Sequence, residues 1–314
     1  MRNFEKDVPG GKNEPRYEKI LMSDVVVTKK RSLFRGGTWR SLDIKMALWF
    51  LTIHLLTLFA PFTFTWGAFW TAFVGYVLST MFGISISYHR NLAHRSFKLP
   101  KWLEYSFAYI GVQTAQRDPI YWVSIHRYHH QYVDKNKDAH SPIYGLWFSH
   151  MGWLFDSSII MENYQKRSNV EDLKSQSFYR FIKRTYVWHV LGFAAIVYAL
   201  GGFPYLVWVI GVRLTCTYHV IFMVNSVCHT WRKRSWKSTD LSKNNWWMAI
   251  LSFGEGWHNN HHAFESSAKF GLEWWQFDFG WCVIRFLEAL GLATNVKLPT
   301  EAQKLKKSLT STDG

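Results

Sequence analysis

Nine of the fourteen histidines in this 314-residue chain fall into a pattern. Eight occupy three tight clusters: His89-Arg-Asn-Leu-Ala-His94, His126-Arg-Tyr-His129-His130 and His258-Asn-Asn-His261-His262. The ninth, His229, closes the run Asn225-Ser-Val-Cys-His229. Histidine is the commonest transition-metal ligand and binds through a neutral ring nitrogen. Nine imidazoles exceed the roughly six ligands that one ion takes, and they suit two ions. In HxxHH, positions i, i+3 and i+4 lie on one helix face, so all three rings can point at one spot. HxxxxH is different. Five residues leave about 140° between the two side chains on a regular helix, so one ring comes from a helix end or a distorted turn.

The donor type narrows the chemistry. Hydrolytic zinc sites usually use three or four protein ligands and a water. A paired, imidazole-rich site suits iron and oxygen chemistry better. Two Fe(II) can together reduce O2 and leave an oxidant strong enough to break an unactivated C–H bond. Such a bond gives a protein no handle for acid–base catalysis. The metal does the chemistry, and the protein places the substrate beside it and keeps water out.

The elements that position these residues are membrane helices. The composition is 48% hydrophobic and 18% aromatic, and the mean hydropathy of −0.13 averages two unlike populations. Residues 46–64, 67–87, 186–200 and, apart from Arg213, 203–228 are apolar and free of Asp, Glu, Lys and Arg. Each is near the roughly 20 residues needed to cross the hydrocarbon core, the third being short. Uncharged links at 60–66 and 201–204 make them two helical hairpins. Lys and Arg concentrate in the N-terminal segment, in 90–184 and in the C-terminal third, which places those segments on the cytoplasmic side. All nine patterned histidines then share one face. The expected fold is all-α: four transmembrane helices in two hairpins, with a cap formed by 88–185 and 229–299 that carries the metal site. Within the cap, Trp102–Val112 and Ile143–Phe155 read as amphipathic helices at the interface.

The net charge of +15 follows from positive-inside bias, or attracts anionic headgroups, or attracts an acidic partner. Nucleic acid is a poor fit for a four-span protein. Cys216, Cys228 and Cys282 lack CxxC spacing and read as small core residues in a reducing compartment. Residues 1–41 form a partly disordered lead-in without an apolar h-region, and they are too acidic for a plastid transit segment. Trp39 is expected at the membrane surface. Residues 42–299 form the enzyme domain, and 300–314 a loose polar tail.

HRNLAH, HRYHH and EGWHNNHH resemble the three histidine boxes of membrane fatty acid desaturases, closest to the first-double-bond branch (stearoyl-type and plant acyl-lipid Δ9). Trp122–His130, Asp138-Ala-His-Ser-Pro142, Phe148-Ser-His-Met-Gly-Trp153 and Asn225–His229 support the resemblance, which spans residues 42–292. It implies that His89, His94, His126, His129, His130, His229, His258, His261 and His262 bind two irons, and that Asn225 holds a metal-bound water. The split of ligands between the irons stays open. It also implies O2-dependent cis-desaturation at or near Δ9 of an acyl chain carried on coenzyme A or a glycerolipid. With no fused haem domain, electrons are expected from a separate donor such as cytochrome b5. An extraplastidial member, in the endoplasmic reticulum with both termini cytosolic, is expected. A hydroxylase with the same boxes, an inactive metal-binding membrane protein and a membrane zinc hydrolase are the alternatives.

Other residues carry weaker expectations. Asp134 and Asp138 either orient ligand rings or sit in a solvated loop beside Lys135 and Lys137. Glu255 is either a partner of a ligand ring or a helix N-terminal charge. His54, His189 and His219 lie in spans and read as packing or hydrogen-bonding groups. His140 and His150 match family motifs and can take a supporting role. Arg213 is the one charge inside a span and should face a protein interior. Phe73, Val77 and Met81 recur every four residues on the second span and, with Trp122, are candidate linings of a substrate tunnel; for Val77 and Met81 the resemblance strengthens this.

Overall fold

The computed structural model describes residues 18–29, 31, 39–164 and 166–309. Most of the expected lead-in, 1–17 and 32–38, lies outside them. Helix dominates the described part. A two-stranded ribbon, β1 (Glu18–Lys19) antiparallel to β2 (Val26–Val27), is the sheet it contains. This ribbon is docked rather than loose. Val25 is buried, Thr28 N–H donates to the Ile143 carbonyl at 3.0 Å, and Asp24 pairs with Lys243 at 2.7 Å.

α1 (Ser41–Thr57) starts where Asp43 accepts the Arg40 N–H at 2.9 Å. The other Asp43 oxygen accepts Ser157 N–H at 2.9 Å and ties the span to the cap. α2 (Trp66–Val77) runs without a break into a π-helix at Leu78–Ala93. α3 (Lys101–Val112) follows, then α4 (Pro119–Tyr132), which is capped by Asp118 with Pro119 at its first position. α5 (Leu146–His150), α6 (Ser158–Tyr164) and α7 (Glu171–Lys174) are short. The single amphipathic helix expected over 143–155 is therefore broken into turns around α5.

α8 (Ser177–Tyr205), a second π-helical stretch (Leu206–Val212) and α9 (Arg213–Ser226) form one helical run. Among the described residues three helical segments are thus long and apolar enough to cross a membrane, Ser41–Phe62, Trp66–Ala93 and the 53-residue Ser177–His229, where four separate spans were expected. The third is not straight. Residues 193 and 213 would be about 30 Å apart along a continuous helix. Instead the Arg213 guanidinium carbon lies 5.7 Å from the Phe193 ring. The reversal is at Gly202 (φ 65°, ψ −161°), a backbone open to glycine and followed by Pro204, which has no N–H to donate.

Arg213 does face the interior. Its guanidinium donates to Val209 O (2.7 Å), Ser79 Oγ (3.1 Å) and Gln113 O (2.9 Å). Gln113 is the C-cap of α3, so the buried cation meets the negative end of a helix dipole.

α10 (Trp246–Leu251), α11 (His258–Ala263), α12 (Phe279–Ala289) and α13 (Glu301–Lys307) complete the cap. α13 corrects the expected loose tail. Thr300 and Gln303 form a capping box, and Lys237 N–H donates to the Lys307 carbonyl at 2.8 Å.

α3 packs against the first π-helix at one tight point. A Cβ on Gly83 would stand 2.6 Å from both Cα and N of Gly111. Gly83→Ala should therefore force the two backbones apart and destabilise by about 1–3 kcal/mol. Gly192→Ala, which meets no atom within 4 Å, should not. Thermal unfolding in detergent checks this; equal midpoints for the two variants would refute the contact.

Candidate metal centre

The four histidine-bearing segments converge at the cap end of the long helices. His89 lies in the first π-helix and His94 caps it, with His94 N–H bonded to the His89 carbonyl five residues back at 3.0 Å. The wider π turn is the distortion that HxxxxH required, and it brings the two rings to 4.8 Å. α4 supplies His126, His129 and His130, and α11 supplies His258, His261 and His262. His229 ends the 3-10 turn after α9.

The nine rings separate into two groups. One nitrogen from each of His89, His94, His126, His130 and His261 lies within 4.8 Å of the others, and the same holds for His129, His229, His258 and His262. Each HxxHH box is divided: its i+3 and i+4 members face different groups.

Carboxylates sit behind the rings. His129 Nδ1 meets Asp138 at 3.0 Å, His229 Nδ1 meets Asp134 at 3.0 Å and His262 Nδ1 meets Asp240 at 3.3 Å. His89 Nδ1 meets Glu255, whose other oxygen receives Ser85 and Arg90. His130 Nδ1 stands 3.6 Å from Glu265. A ring that gives its Nδ1 hydrogen to a carboxylate turns a lone pair inward at Nε2. His258 Nε2 lies 2.9 Å from His229 Nε2 and 3.0 Å from His262 Nε2. Both of those neighbours are acceptors, and His258 has at most one hydrogen to offer two of them. In the other group His261 Nε2 lies 3.1 Å from His89 Nε2 and 3.0 Å from His130 Nε2. Hydrogen bonding alone leaves lone pairs facing lone pairs. Two cations, one per group, would satisfy this donor set.

Electrostatics agrees. Burial holds His94, His126, His129, His258 and His261 well below the usual histidine range, with neighbouring imidazoles adding to the effect. Burial also pushes His262 down to about 3 although Asp240 opposes it. Burial alone would raise the Asp240 carboxyl, but His262 and His229 hold it below its ordinary value. These six rings are neutral near pH 7, the form that ligates metals.

Asp134, Asp138 and Glu255 are thus beside ring nitrogens. Asp240 and Glu265 were missed: Asp240 lies in a loop far from any histidine in sequence, and Glu265, three residues past His262, meets His130 of another box instead. His140 lies beside the second group, its ring 4.4 Å from that of His129. His150, His219 and His54 form a hydrogen-bonded chain instead. His54 Nδ1 meets Phe50 O at 2.7 Å, and its Nε2 meets His219 Nε2 at 3.0 Å. His219 Nδ1 meets His150 Nε2 at 3.0 Å, and His150 Nδ1 meets Ser226 Oγ at 3.1 Å. Ser226 Oγ also lies 2.9 Å from Phe222 O. His189 bonds Thr185 and Tyr109.

A largely apolar cavity adjoins the metal groups. Leu42, Met46, Trp122, Ile125, His126 and Asn225 are on its wall. Trp122 lies 5.0 Å from the His126 ring and stacks on it at 16°. Phe73, Val77 and Met81 are not on this wall. Phe73 is half exposed beside Trp70, and Met81 packs with Ile86, Phe97 and Phe107. Asn225 precedes His229 by one helical turn, as the spacing required.

Residues 64–286 match the family model described as fatty acid desaturase. The chain is 54% identical over 299 residues to the palmitoyl-monogalactosyldiacylglycerol delta-7 desaturase, chloroplastic, of Arabidopsis thaliana, covering 95% of this chain and 81% of that one. It is 52% identical over 296 residues to delta-9 acyl-lipid desaturase 1 of the same plant, covering 94% and 97%. It is 53% identical over 292 residues to the acyl-CoA C20 Delta5-desaturase of Anemone leveillei, covering 93% and 94%. The chain belongs to the fatty acid desaturase family and is an oxidoreductase that desaturates fatty acyl chains. The expected endoplasmic reticulum placement is corrected, because a relative 54% identical to this chain is chloroplastic. Leader composition misled because organelle addresses are read by receptors and leave little trace in the physics of the fold.

Removing a carboxylate behind a ligand ring typically costs 10- to 100-fold in metal affinity. Asp240→Asn should therefore lose about one ion per chain to a chelator that leaves two on the parent. Asp156→Asn, whose carboxylate pairs instead with Arg31, should lose none. Metal analysis after dialysis reads the difference, and full retention by Asp240→Asn would sink its role.

Proposed function

We propose that each histidine group holds one iron ion and that the enzyme introduces a cis double bond at or near Δ9 of a saturated acyl chain, using O2 and two external electrons. His89, His94, His126, His130 and His261 hold one ion. His129, His229, His258 and His262 hold the other, with Asn225 reaching it through water. The observation that carries this reading is the cavity wall, where an apolar channel meets His126 of one group and Asn225 beside the other. What iron supplies there when bound is the reduction of O2 to two waters, with two electrons, two protons and the two hydrogens lost from adjacent methylenes.

The protein's own share is placement. The apolar lining holds a saturated chain and excludes water. Trp122 buttresses His126 and forms the wall against which the chain lies. Asp134, Asp138, Asp240 and Glu255 hold four imidazoles in the tautomer that faces inward.

The reversal at Gly202 divides the 53-residue run into two spans, giving four spans in a plastid membrane, with the metal groups at one face. Electrons come from a separate carrier protein. Arg232, Lys233 and Lys237 are exposed close behind His229 in sequence, and this positive segment would steer an acidic donor.

Expression in desaturase-deficient yeast with ample iron should yield monounsaturated fatty acids and about two iron per purified chain. His258→Ala should abolish the product. Hydroxylated products, or zinc in place of iron, would overturn the reading; zinc is the stronger competitor in the affinity order.

A further inference from the structure

We propose that the protein binds the carboxylate of a free long-chain fatty acid at Arg213, in a lipid-facing cavity separate from the one beside the metal groups. The proposal does not depend on the desaturase reading above. Arg213 is 3% exposed and stands in a helical run apolar enough to cross a membrane. No carboxylate among the described residues pairs with it. Its three hydrogen bonds run from Nε to Val209 O, from Nη1 to Ser79 Oγ and from Nη2 to Gln113 O. A guanidinium carries five N–H groups, so one on Nη1 and one on Nη2 have no acceptor among the described residues. The helix end at Gln113 offers about half a negative charge at most, and the remainder is uncompensated. A buried cation calls for an anion, and a buried N–H calls for an acceptor.

A cavity of about 430 Å³ adjoins this guanidinium, a size that ligand sites take. Ser79, Gln113, Trp188, Gly192, Phe193 and Ile196 are on its wall with Arg213, and it shares no residue with the cavity beside the metal groups. A Cβ on Gly75 would stand 2.9 Å from Arg213 Cδ, so a glycine there lets the side chain lie along α2. A Cβ on Gly192 would meet nothing within 4 Å, so α8 leaves the cavity open at that point. Gln113 Oε1 is buried in the wall without a partner. No hydrogen bond among the described residues fixes this amide, so its NH2 can turn inward and donate beside Arg213. Trp188 and Ile196 are exposed on the long apolar run, so the mouth opens towards lipid.

The ligand class follows from these features. A molecule that enters from the bilayer carries an apolar chain, which Phe193 and Ile196 can cover. It must also bring an anion with two acceptor oxygens, the geometry that the two free N–H groups of a guanidinium meet. Depth decides between the anions a bilayer offers. Arg213 precedes His229 by sixteen residues of helix, roughly 24 Å. A diacyl phospholipid would have to bring its whole polar headgroup to that depth, at a high desolvation cost. A fatty acid brings two oxygens.

The probe is hexadecanoic acid with a diazirine on its chain, cross-linked by light to the purified, metal-loaded protein in detergent at mildly alkaline pH. Peptide mass spectrometry then locates the label. It should appear on α8 around Gly192 and Ile196, whatever else is labelled beside the metal groups. Unlabelled hexadecanoic acid should displace the α8 label roughly ten- to hundredfold better than hexadecanol or methyl hexadecanoate, the scale of hydrogen bonds to a charged group. Arg213→Gln should weaken α8 labelling by a similar factor. Gly192→Phe fills the cavity without removing the cation, so it should abolish the α8 label with metal content unchanged. It also decides the matter if Arg213→Gln fails to fold. Equal displacement by acid, alcohol and ester would reveal an apolar groove only and overturn the proposal. So would the absence of an α8 label, or an α8 label that persists at full strength in either variant. Stronger displacement by dipalmitoyl phosphatidic acid than by hexadecanoic acid would overturn it as well, in favour of a phospholipid site.

Discussion

The metal centre depends on how one buried charge is neutralised. Arg90 is fully buried, directly after His89. It reaches Glu255 from Nε (3.3 Å) and Nη2 (3.2 Å), Asp278 from Nη1 (3.0 Å) and Nη2 (2.9 Å), and Ala268 O from Nη1 (2.9 Å). A guanidinium has five N–H donors, and here every one has an acceptor. The Phe270 ring lies 3.9 Å from the guanidinium carbon. Glu255 in turn holds His89, while Asp278 caps α12 and receives Phe270 N–H at 2.8 Å. One side chain thus joins the first π-helix, the loop before α11 and the start of α12, which fixes the rings of two histidine boxes relative to each other. Burying a charge so deeply is tolerable only because it is paired and fully hydrogen-bonded.

The same logic extends outward. Buried carboxylates stand behind His89, His129, His229 and His262, and each accepts further hydrogen bonds, Glu255 and Asp134 from distant elements and Asp138 and Asp240 from their own loops. Asp134 also accepts Leu241 N–H at 2.7 Å, and Asp138 accepts Asp134 N–H at 2.9 Å. Metal site and cap architecture are therefore one network. A change in any of these acids alters a ring direction and a loop position together.

Much of the site was legible because ligation imposes local spacing. The need for a distorted turn at HxxxxH follows from helix geometry and appears as such, and both HxxHH boxes are helical. The expectation that the three rings of a box meet at one spot does not hold, because each box is shared between the two groups. Asp134 and Asp138 were legible as candidates because they lie just past a box. Asp240 and the Arg90–Asp278 pair were not, since their partners are distant in sequence or, for Arg90, give no pattern to read. The split of each box between the two groups also required the structure. Periodicity placed Phe73, Val77 and Met81 on one stripe, but a stripe does not say which neighbour it faces. The apolar runs at 186–200 and 203–228 were visible as two stretches joined at 201–204, and the backbone angles of Gly202 show which residue of that link makes the reversal.

The chain of imidazoles among α1, α5 and α9 has a consequence in hydrogen arithmetic. From Phe50 O through His54, His219, His150 and Ser226 to Phe222 O there are five contacts, each needing one hydrogen. With every imidazole neutral, three rings and one hydroxyl supply four. Both terminal atoms are carbonyl oxygens, which only accept. One contact is therefore always vacant while the chain is uncharged. If His54 gives its hydrogen to Phe50 and the next two links are filled, His219 and His150 both carry theirs on Nε2, and Ser226 chooses between His150 and Phe222. The vacancy can sit at any link, and shifting it by one place flips one tautomer. These three histidines are thus a row of coupled two-state elements within the helices, and labelled imidazole nitrogens would report its setting as a single correlated pattern.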